Sequence, residues 1–345
     1  MSKHCYIQRD TGGIVQERLR ADLVVEFLYS RARERSPALF RMLTGARASS
    51  LIGFLYFDAP VSSRILGRRF VDSRRIDLSE CVQPARSLDT ARKLFERRIR
   101  YWECRPMRDA VSDVVAPADS RALLGSLAAT SQLFVKGKFF TDTELFGASQ
   151  SWVPAFRDAD FVIFRLTPEK YHYTHTSVAG VLRDRYDVDG GHHSCNPWAV
   201  VGLMTPFSKN RRKVSILDTD VAGGTGVGLV AQIEVVALGV GALQECYSRT
   251  GYEDPKPPRI GQFLKKGVPL SLFRPGSSTV ILLLQKGRVQ FCGDLIRNRL
   301  NSMVSSRFSW WSGRPIVETD VQVRSTIASR ATNRSSGAIQ EGRRC

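Results

Sequence analysis

The sequence predicts an α+β protein, with an amphipathic helical N-terminal part followed by a mainly antiparallel β core. Three observations lead there. Between Ala21 and Phe57 apolar residues recur at helical spacing among arginines. After Pro106 the texture changes to short β-rich runs bounded by Gly, Pro, Asp and Ser. Those runs do not alternate with helical patterns, as a βαβ series requires. At 345 residues the chain can bury one large core or two modest ones.

Taken in order, residues 1 to 20 are polar and expected to be loose. Leu23, Val24, Phe27 and Leu28, then Leu39, Phe40 and Leu43, then Leu51, Ile52 and Leu55 mark two or three short helices. Two readings stay open for them. They pack on the core, or they form a monotopic anchor whose arginines meet lipid phosphates while Phe27, Phe40, Phe54 and Phe57 dip into the interface. Ser87 to Trp102 reads as a further helix capped by Ser87, with Leu88, Ala91, Leu94, Phe95, Ile99 and Trp102 along one face. Strands are expected at 132–135, 161–164, 213–217 and 280–284. From Ala328 the Ser, Arg, Thr and Gly content predicts a disordered basic tail. The divisions expected are a basic helical region over 1–84, a catalytic domain over 85–327 and the tail over 328–345.

Charge and cysteines bound the surroundings. The net charge is +18, and residues 1 to 110 hold 22 Lys plus Arg against 13 Asp plus Glu, a net of +9 and half the total. Such a balance favours an anionic partner and says nothing about fold. Seven scattered cysteines without a Cys-x-x-Cys pair read as reduced thiols in a cytoplasmic protein. The uncharged stretch Ala48 to Phe57 is ten residues long, and a spanning helix needs about 20. Peripheral contact with a membrane, with no transmembrane segment, is the expectation.

Two stretches carry chemistry. Phe273-Arg274-Pro275-Gly276-Ser277 places a Gly-Ser bond in a turn between apolar runs, which alone reads as a turn between strands. About a hundred residues upstream stands Tyr171-His172-Tyr173-Thr174-His175. Further segments follow a consistent order: Pro117-Ala118-Asp119, Val135-Lys136-Gly137, Leu145-Phe146-Gly147, Tyr186 to Gly190, Ser194 with Asn196-Pro197, Asn210-Arg211-Arg212, Val240 to Leu243 and Val317 to Val321. The ordered set, over residues 85 to 327, resembles the phosphatidylserine decarboxylases, which are self-cleaving pyruvoyl enzymes. Ser120 stands where that family usually has glycine, and Pro269 and Ser271 replace a usual Glu and Gly.

The resemblance implies a core of that family's type, cleavage between Gly276 and Ser277, and a pyruvoyl group made from Ser277. Counting back from Gly287 moves the processed residue to Ser278, and that register remains an alternative. In the implied scheme Ser277 attacks the Gly276 carbonyl, His175 is the base and Asp119 fixes its tautomer. The ketone then takes the electron pair that leaving carbon dioxide vacates, and His172 returns a proton. The product would be phosphatidylethanolamine from phosphatidylserine, on two chains, 1–276 and 277–345, at an anionic membrane surface; a homodimer is one arrangement. A soluble decarboxylase of a free amino acid, aromatic ones included, using the same chemistry is the alternative, favoured by His192 and His193, which would line the substrate pocket.

Rival motifs weigh less. The His-x-x-His spacing with His192 and His193 suits zinc, but the first pair already has work in the family scheme, so no metal is expected. Gly226-x-Gly228-x-x-Ala231 resembles a dinucleotide fingerprint, yet the β-branched residues after it predict a strand where a helix N-terminus is required. Trp310-Trp311 and the basic tail come without a nucleic-acid module, so no nucleic-acid partner is expected.

Overall fold

The computed structural model describes residues 3–19, 22–29, 76–135, 137–147, 150–237, 243–276 and 278–332, with short pieces between 35 and 68. Sixteen strands are found among them. In chain order they are β1 (Cys5–Gln8), β2 (Ile14–Gln16), β3 (Asp113–Val115), β4 (Ser120–Ser126), β5 (Asp160–Leu166), β6 (Tyr173–His175), β7 (Gly180–Val188) and β8 (Arg212–Asp218). There follow β9 (Leu229–Val236), β10 (Leu243–Glu245), β11 (Phe263–Leu264), β12 (Pro269–Phe273), β13 (Ser278–Leu284), β14 (Val289–Phe291), β15 (Glu318–Val321) and β16 (Thr326–Arg330).

Ten of them form one sheet in the order β11-β7-β8-β9-β13-β5-β4-β15-β1-β2. Its pairs are antiparallel except β1 with β15. Smaller three-stranded sheets are β10-β12-β6 and β14-β16-β3. The mixed architecture with a large antiparallel sheet agrees with the α+β expectation.

The centre of the large sheet is β13, Ser278-Thr-Val-Ile-Leu-Leu-Leu284, which is buried throughout. Because successive side chains point to opposite faces, Val280, Leu282 and Leu284 enter one core with Val162, Phe164 and Leu166. Ile281 and Leu283 enter the other with Phe161 and Ile163. Each such buried side chain contributes about 1.5–3 kcal/mol. Strand β9 breaks the pattern on the first face, where Gln232 and Glu234 stand fully buried among aliphatics. Both turn out to anchor the site.

Several expectations need correction. Residues 3–19 are not loose: β1 and β2 form the sheet edge, and His4, Glu17 and Glu318 meet Arg165 in a buried ionic cluster, with Glu318 Oε2 2.9 Å from His4 and 2.7 Å from Arg165. The helix expected over Ser87–Trp102 is broken into a 3-10 turn (Ala85–Ser87), α2 (Ala91–Phe95), which follows α1 (Asp22–Phe27), and α3 (Tyr101–Cys104). Thr90, not Ser87, caps α2, accepting from Lys93 N–H at 3.3 Å. Residues 132–135 make only a bridge at Phe134, and Ala328 to Arg330 belong to β16 rather than the tail; the tail from 333 lies outside the described residues.

The amphipathic N-terminal helices are not shown as such. Most of residues 30–75 lies outside the described residues, beyond α1 and a π-helical turn at Phe54–Asp58. Of the four phenylalanines assigned to an interface, Phe40 and Phe57 are buried, Phe57 against Phe95, while Phe27 and Phe54 are exposed. Cys5, Cys81, Cys104, Cys195 and Cys246 are free thiols, whereas Cys292 is held in a disulfide, against the expectation of reduced thiols throughout. No helix among the described residues is long and apolar enough to cross a membrane.

Candidate active site

Strand β6 carries the second histidine of the Tyr-His-x-x-His run and pairs antiparallel with β12, His175 opposite Pro269 and Tyr173 opposite Leu272. Just before β6, the His172 carbonyl accepts from Phe273 N–H at 3.2 Å. Both histidines are thereby bound by backbone to the segment that leads into Gly276. Gly276 has φ 145°, a region open to glycine and strained for residues with a Cβ. Ser277 lies outside the described residues. Ser278 opens β13, paired on one side with Leu166 and on the other with Val236, and its Oγ is buried without a hydrogen-bond partner among the described residues.

His172 is fully buried. Its Nδ1 lies 2.7 Å from the Lys170 carbonyl, which only accepts, so Nδ1 carries the proton. That leaves Nε2 as the lone-pair nitrogen, buried without a hydrogen-bond partner among the described residues. The Phe95 ring stacks on the imidazole with centroids 3.5 Å apart. Burial, followed by the charge of Arg97, pushes the His172 pKa well below its ordinary value. Arg97 is itself buried and donates to the Leu94, Lys170 and Glu169 carbonyls at 2.8, 3.2 and 2.9 Å, joining α2 to the histidine segment.

His175 is also fully buried. Its backbone N–H donates to the Pro117 carbonyl at 2.7 Å, tying the Pro-x-Asp segment to β6. Its Nδ1 donates to the Gly267 carbonyl at 3.1 Å, and Nε2 lies 3.0 Å from the Tyr171 hydroxyl. Burial pushes its pKa down to about 3.

Asp119 does not fix this tautomer by hydrogen bonding, as the sequence scheme expects. Its carboxylate takes Arg105 in a two-pronged pair, at 3.1 and 2.8 Å, and the Val323 N–H at 2.7 Å. Burial alone would raise the Asp119 pKa; the Arg105 guanidinium outweighs it and holds the carboxyl below its ordinary value. Arg105 is steadied from behind by Glu80, at 2.8 Å. The tautomer of His175 is set by Gly267 instead, because the turn before β12 brings that carbonyl to the ring.

His192 and His193 are drawn elsewhere. His193 stacks on Phe40 with centroids 5.8 Å apart, and its backbone N–H donates to Asn210 Oδ1 at 2.7 Å. Neither lines the cavity of about 460 Å³ beside β6 and β12, which is walled by Glu96, Arg98, Tyr173, Tyr252, Leu272 and Arg274 among others. Lys136 and residues 240–242 of the family-like segments lie outside the described residues.

Sequence reasoning missed Gln232 and Glu234. The Gln232 amide donates to the His175 carbonyl at 2.9 Å and accepts from Ser177 N–H at 3.1 Å. Glu234 receives the hydroxyls of Thr174 and Ser271, at 2.5 and 3.1 Å, so it clips β6 to β12. The signal was present: two polar residues at alternate positions of an otherwise apolar strand require buried partners.

Comparison with known proteins decides the family. A family model described as phosphatidylserine decarboxylase matches residues 91–307, more than half of the chain. The chain belongs to the phosphatidylserine decarboxylase family. With that membership it is an enzyme of the carboxy-lyase class. A relative from Chlamydia trachomatis serovar L2, named phosphatidylserine decarboxylase proenzyme, is 27% identical over 315 residues, covering 88% of this chain and 97% of that one. The proenzyme of Fusobacterium nucleatum is 27% identical over 299 residues, covering 86% and 93%. From Oryza sativa, phosphatidylserine decarboxylase proenzyme 2 is 30% identical over 233 residues, 66% of this chain and 34% of its own length. The matched range includes both histidines and Gly276.

Proposed function

We propose that this chain is a self-processing, pyruvoyl-dependent decarboxylase that converts phosphatidylserine to phosphatidylethanolamine and carbon dioxide, after cleavage at Gly276-Ser277 divides it into 1–276 and 277–345. One observation carries the reading: the β6–β12 pairing binds His172 and His175 to the segment that ends on Gly276. The relatives' names as proenzymes support processing in this chain.

In processing, the Ser277 oxygen attacks the Gly276 carbonyl carbon while His175 takes the hydroxyl proton and passes it to the Ser277 nitrogen as the C–N bond breaks. Elimination from the resulting ester releases the Gly276 carboxylate, and water replaces nitrogen, which leaves as ammonia. Asp119 acts as a buried negative charge that favours protonation of both histidines, with Arg105 holding it in place.

The site fits a pyruvoyl group, because the buried His172 Nε2 has no hydrogen-bond partner among the described residues and needs one. When present, that group supplies a ketone that takes the substrate amine and then the electron pair left by carbon dioxide. His172 at Nε2 accepts the proton shed by the incoming ammonium and returns one to the substrate carbon. Phe95 fixes the ring and keeps water off it. Exposed Phe27 and Phe54, with the +9 charge of the first 110 residues, support a lipid substrate met at an anionic surface.

The test is release of carboxyl-labelled carbon dioxide from phosphatidylserine in anionic vesicles, beside free serine and free aromatic amino acids. Release from the lipid alone, abolished in His172→Ala, is the expected result. Release from a free amino acid and not from the lipid would overturn the substrate assignment.

A further inference from the structure

Although His175 is fully buried, two hydroxyls connect its ring to the 460 Å³ cavity. The Tyr171 hydroxyl lies 3.0 Å from His175 Nε2 and 2.8 Å from the Tyr252 hydroxyl, and Tyr252 lines the cavity. Tyr252 also reaches the Ile99 carbonyl at 2.9 Å, and the Ile99 N–H donates to it at 3.1 Å.

Two arrangements of these protons place one on the 2.8 Å contact between the two hydroxyls. Each tyrosine has one proton to give. Because Nδ1–H is committed to the Gly267 carbonyl, Nε2 of the neutral ring can only accept. In the first arrangement Tyr171 donates to Nε2 and Tyr252 donates to Tyr171; the Ile99 carbonyl keeps its other donor, the Tyr101 N–H at 2.8 Å. In the second, Tyr171 donates to Tyr252 and Tyr252 donates to Ile99, which leaves the Nε2 lone pair free. The proton shift itself moves no heavy atom; the Tyr171 oxygen, 3.0 Å from Nε2, then yields to the Ser277 hydroxyl.

We propose that Tyr171 and Tyr252 form a two-position hydroxyl switch that holds the Nε2 lone pair of His175 occupied in one position and frees it as a base in the other. This rests on the reading of His175 as the base for Ser277. With the switch open, the Ser277 hydroxyl proton moves to Nε2, its oxygen bonds to the Gly276 carbonyl carbon, and the same proton goes to the Ser277 nitrogen as the C–N bond breaks, so His175 ends neutral. With it closed, Tyr171 occupies the lone pair and the transfer cannot start. Tyr171 and Tyr252 are therefore positioning residues.

The two tyrosines should respond with opposite signs. Among the described residues Tyr252 is the alternative acceptor of the Tyr171 proton, so Tyr252→Phe locks the switch closed; Tyr171→Phe leaves Nε2 permanently free. In precursor made by cell-free synthesis and chased to cleavage, Tyr252→Phe is expected to cut about tenfold more slowly or worse. Tyr171→Phe should cut at least as fast as the unaltered chain, and the double variant should recover the Tyr171→Phe rate. Equal slowing in both single variants with no recovery in the double, or unchanged cleavage in Tyr252→Phe, overturns the switch.

A second readout needs no cleavage. In uncut Ser277→Ala precursor labelled with ¹⁵N-histidine, the His175 Nε2 resonance should lie between that of Tyr252→Phe, fully hydrogen-bonded, and that of Tyr171→Phe, free. Coincident resonances in all three overturn the proposal. If the unaltered chain never cuts, the processing reading falls and this spectrum still judges the switch.

Discussion

Phe95 lies on His172 with ring centroids 3.5 Å apart and planes 25° apart, so the last residue of α2 fixes the histidine assigned to proton transfer. Replacing it with Leu keeps an apolar cover but loses the flat support. A misplacement of about 1 Å costs on the order of a hundredfold in rate. Phe95→Leu should therefore lower decarboxylation per processed chain by about that factor, while self-cleavage, which depends on His175, changes far less. Carbon dioxide release measured beside gel densitometry of the precursor checks both.

Gly276→Ala puts a Cβ on a backbone at φ 145°. Strain of about 1–3 kcal/mol should push the chain out of this conformation and displace the carbonyl that Ser277 must attack. Precursor is expected to accumulate, and a time course of its conversion is the check. Cleavage at the unaltered rate would show that the glycine conformation is not needed.

Arg105 neutralises Asp119 inside the fold, so Arg105→Met leaves a buried carboxylate without its partner. Breaking such a pair costs about 3–5 kcal/mol. Urea unfolding of the Ser277→Ala precursor should show a loss of that size, and Asp119→Asn in the same background should recover part of it.

Acid should destabilise the precursor in a defined window. His175 is held near pKa 3 in the fold, below the 6.5 of the unfolded chain, and burial shifts His172 in the same direction. Below pH 6.5 the unfolded chain binds protons that the native chain does not, so stability falls with pH, by about 1.4 kcal/mol per pH unit for each histidine. Above that value these groups contribute no slope. Glu318, which the charge of Arg165 holds near 2 against the penalty of burial, adds a loss of the same sign below pH 4.5. Urea midpoints between pH 8 and 4 measure the slope, and His172→Gln should reduce it.

The legible parts of the sequence were those with a local signature. The β5, β8 and β13 runs announce themselves by their concentration of β-branched, aliphatic and aromatic residues, and the Tyr-His-x-x-His spacing with a distant Gly-Ser bond pointed to the chemistry. The Gly267 carbonyl that holds the His175 ring was not legible, because it comes from chain 92 residues away. Asp119 is taken by Arg105 and Val323 rather than by His175, and the β6–β12 pairing is what brings Gly267 to the His175 ring. The N-terminal hairpin was missed for a similar reason. Residues 5 to 16 look polar and loose alone, and become strands because β15 offers an edge and Arg165 an ionic anchor. Broken α2 and α3 reflect tertiary demand too, since Ile99 is drawn into a bridge with Cys81 and bonded on both sides to Tyr252.

Intact-mass spectrometry of the purified chain, beside Ser277→Ala, tests the central claim most directly. Two fragments divided between 276 and 277, the smaller carrying pyruvoyl in place of an amino-terminal serine, with Ser277→Ala left whole, is the predicted result. A division one residue later would move the cofactor to Ser278. A single uncut chain of 38.6 kDa from the unaltered sequence would contradict the account.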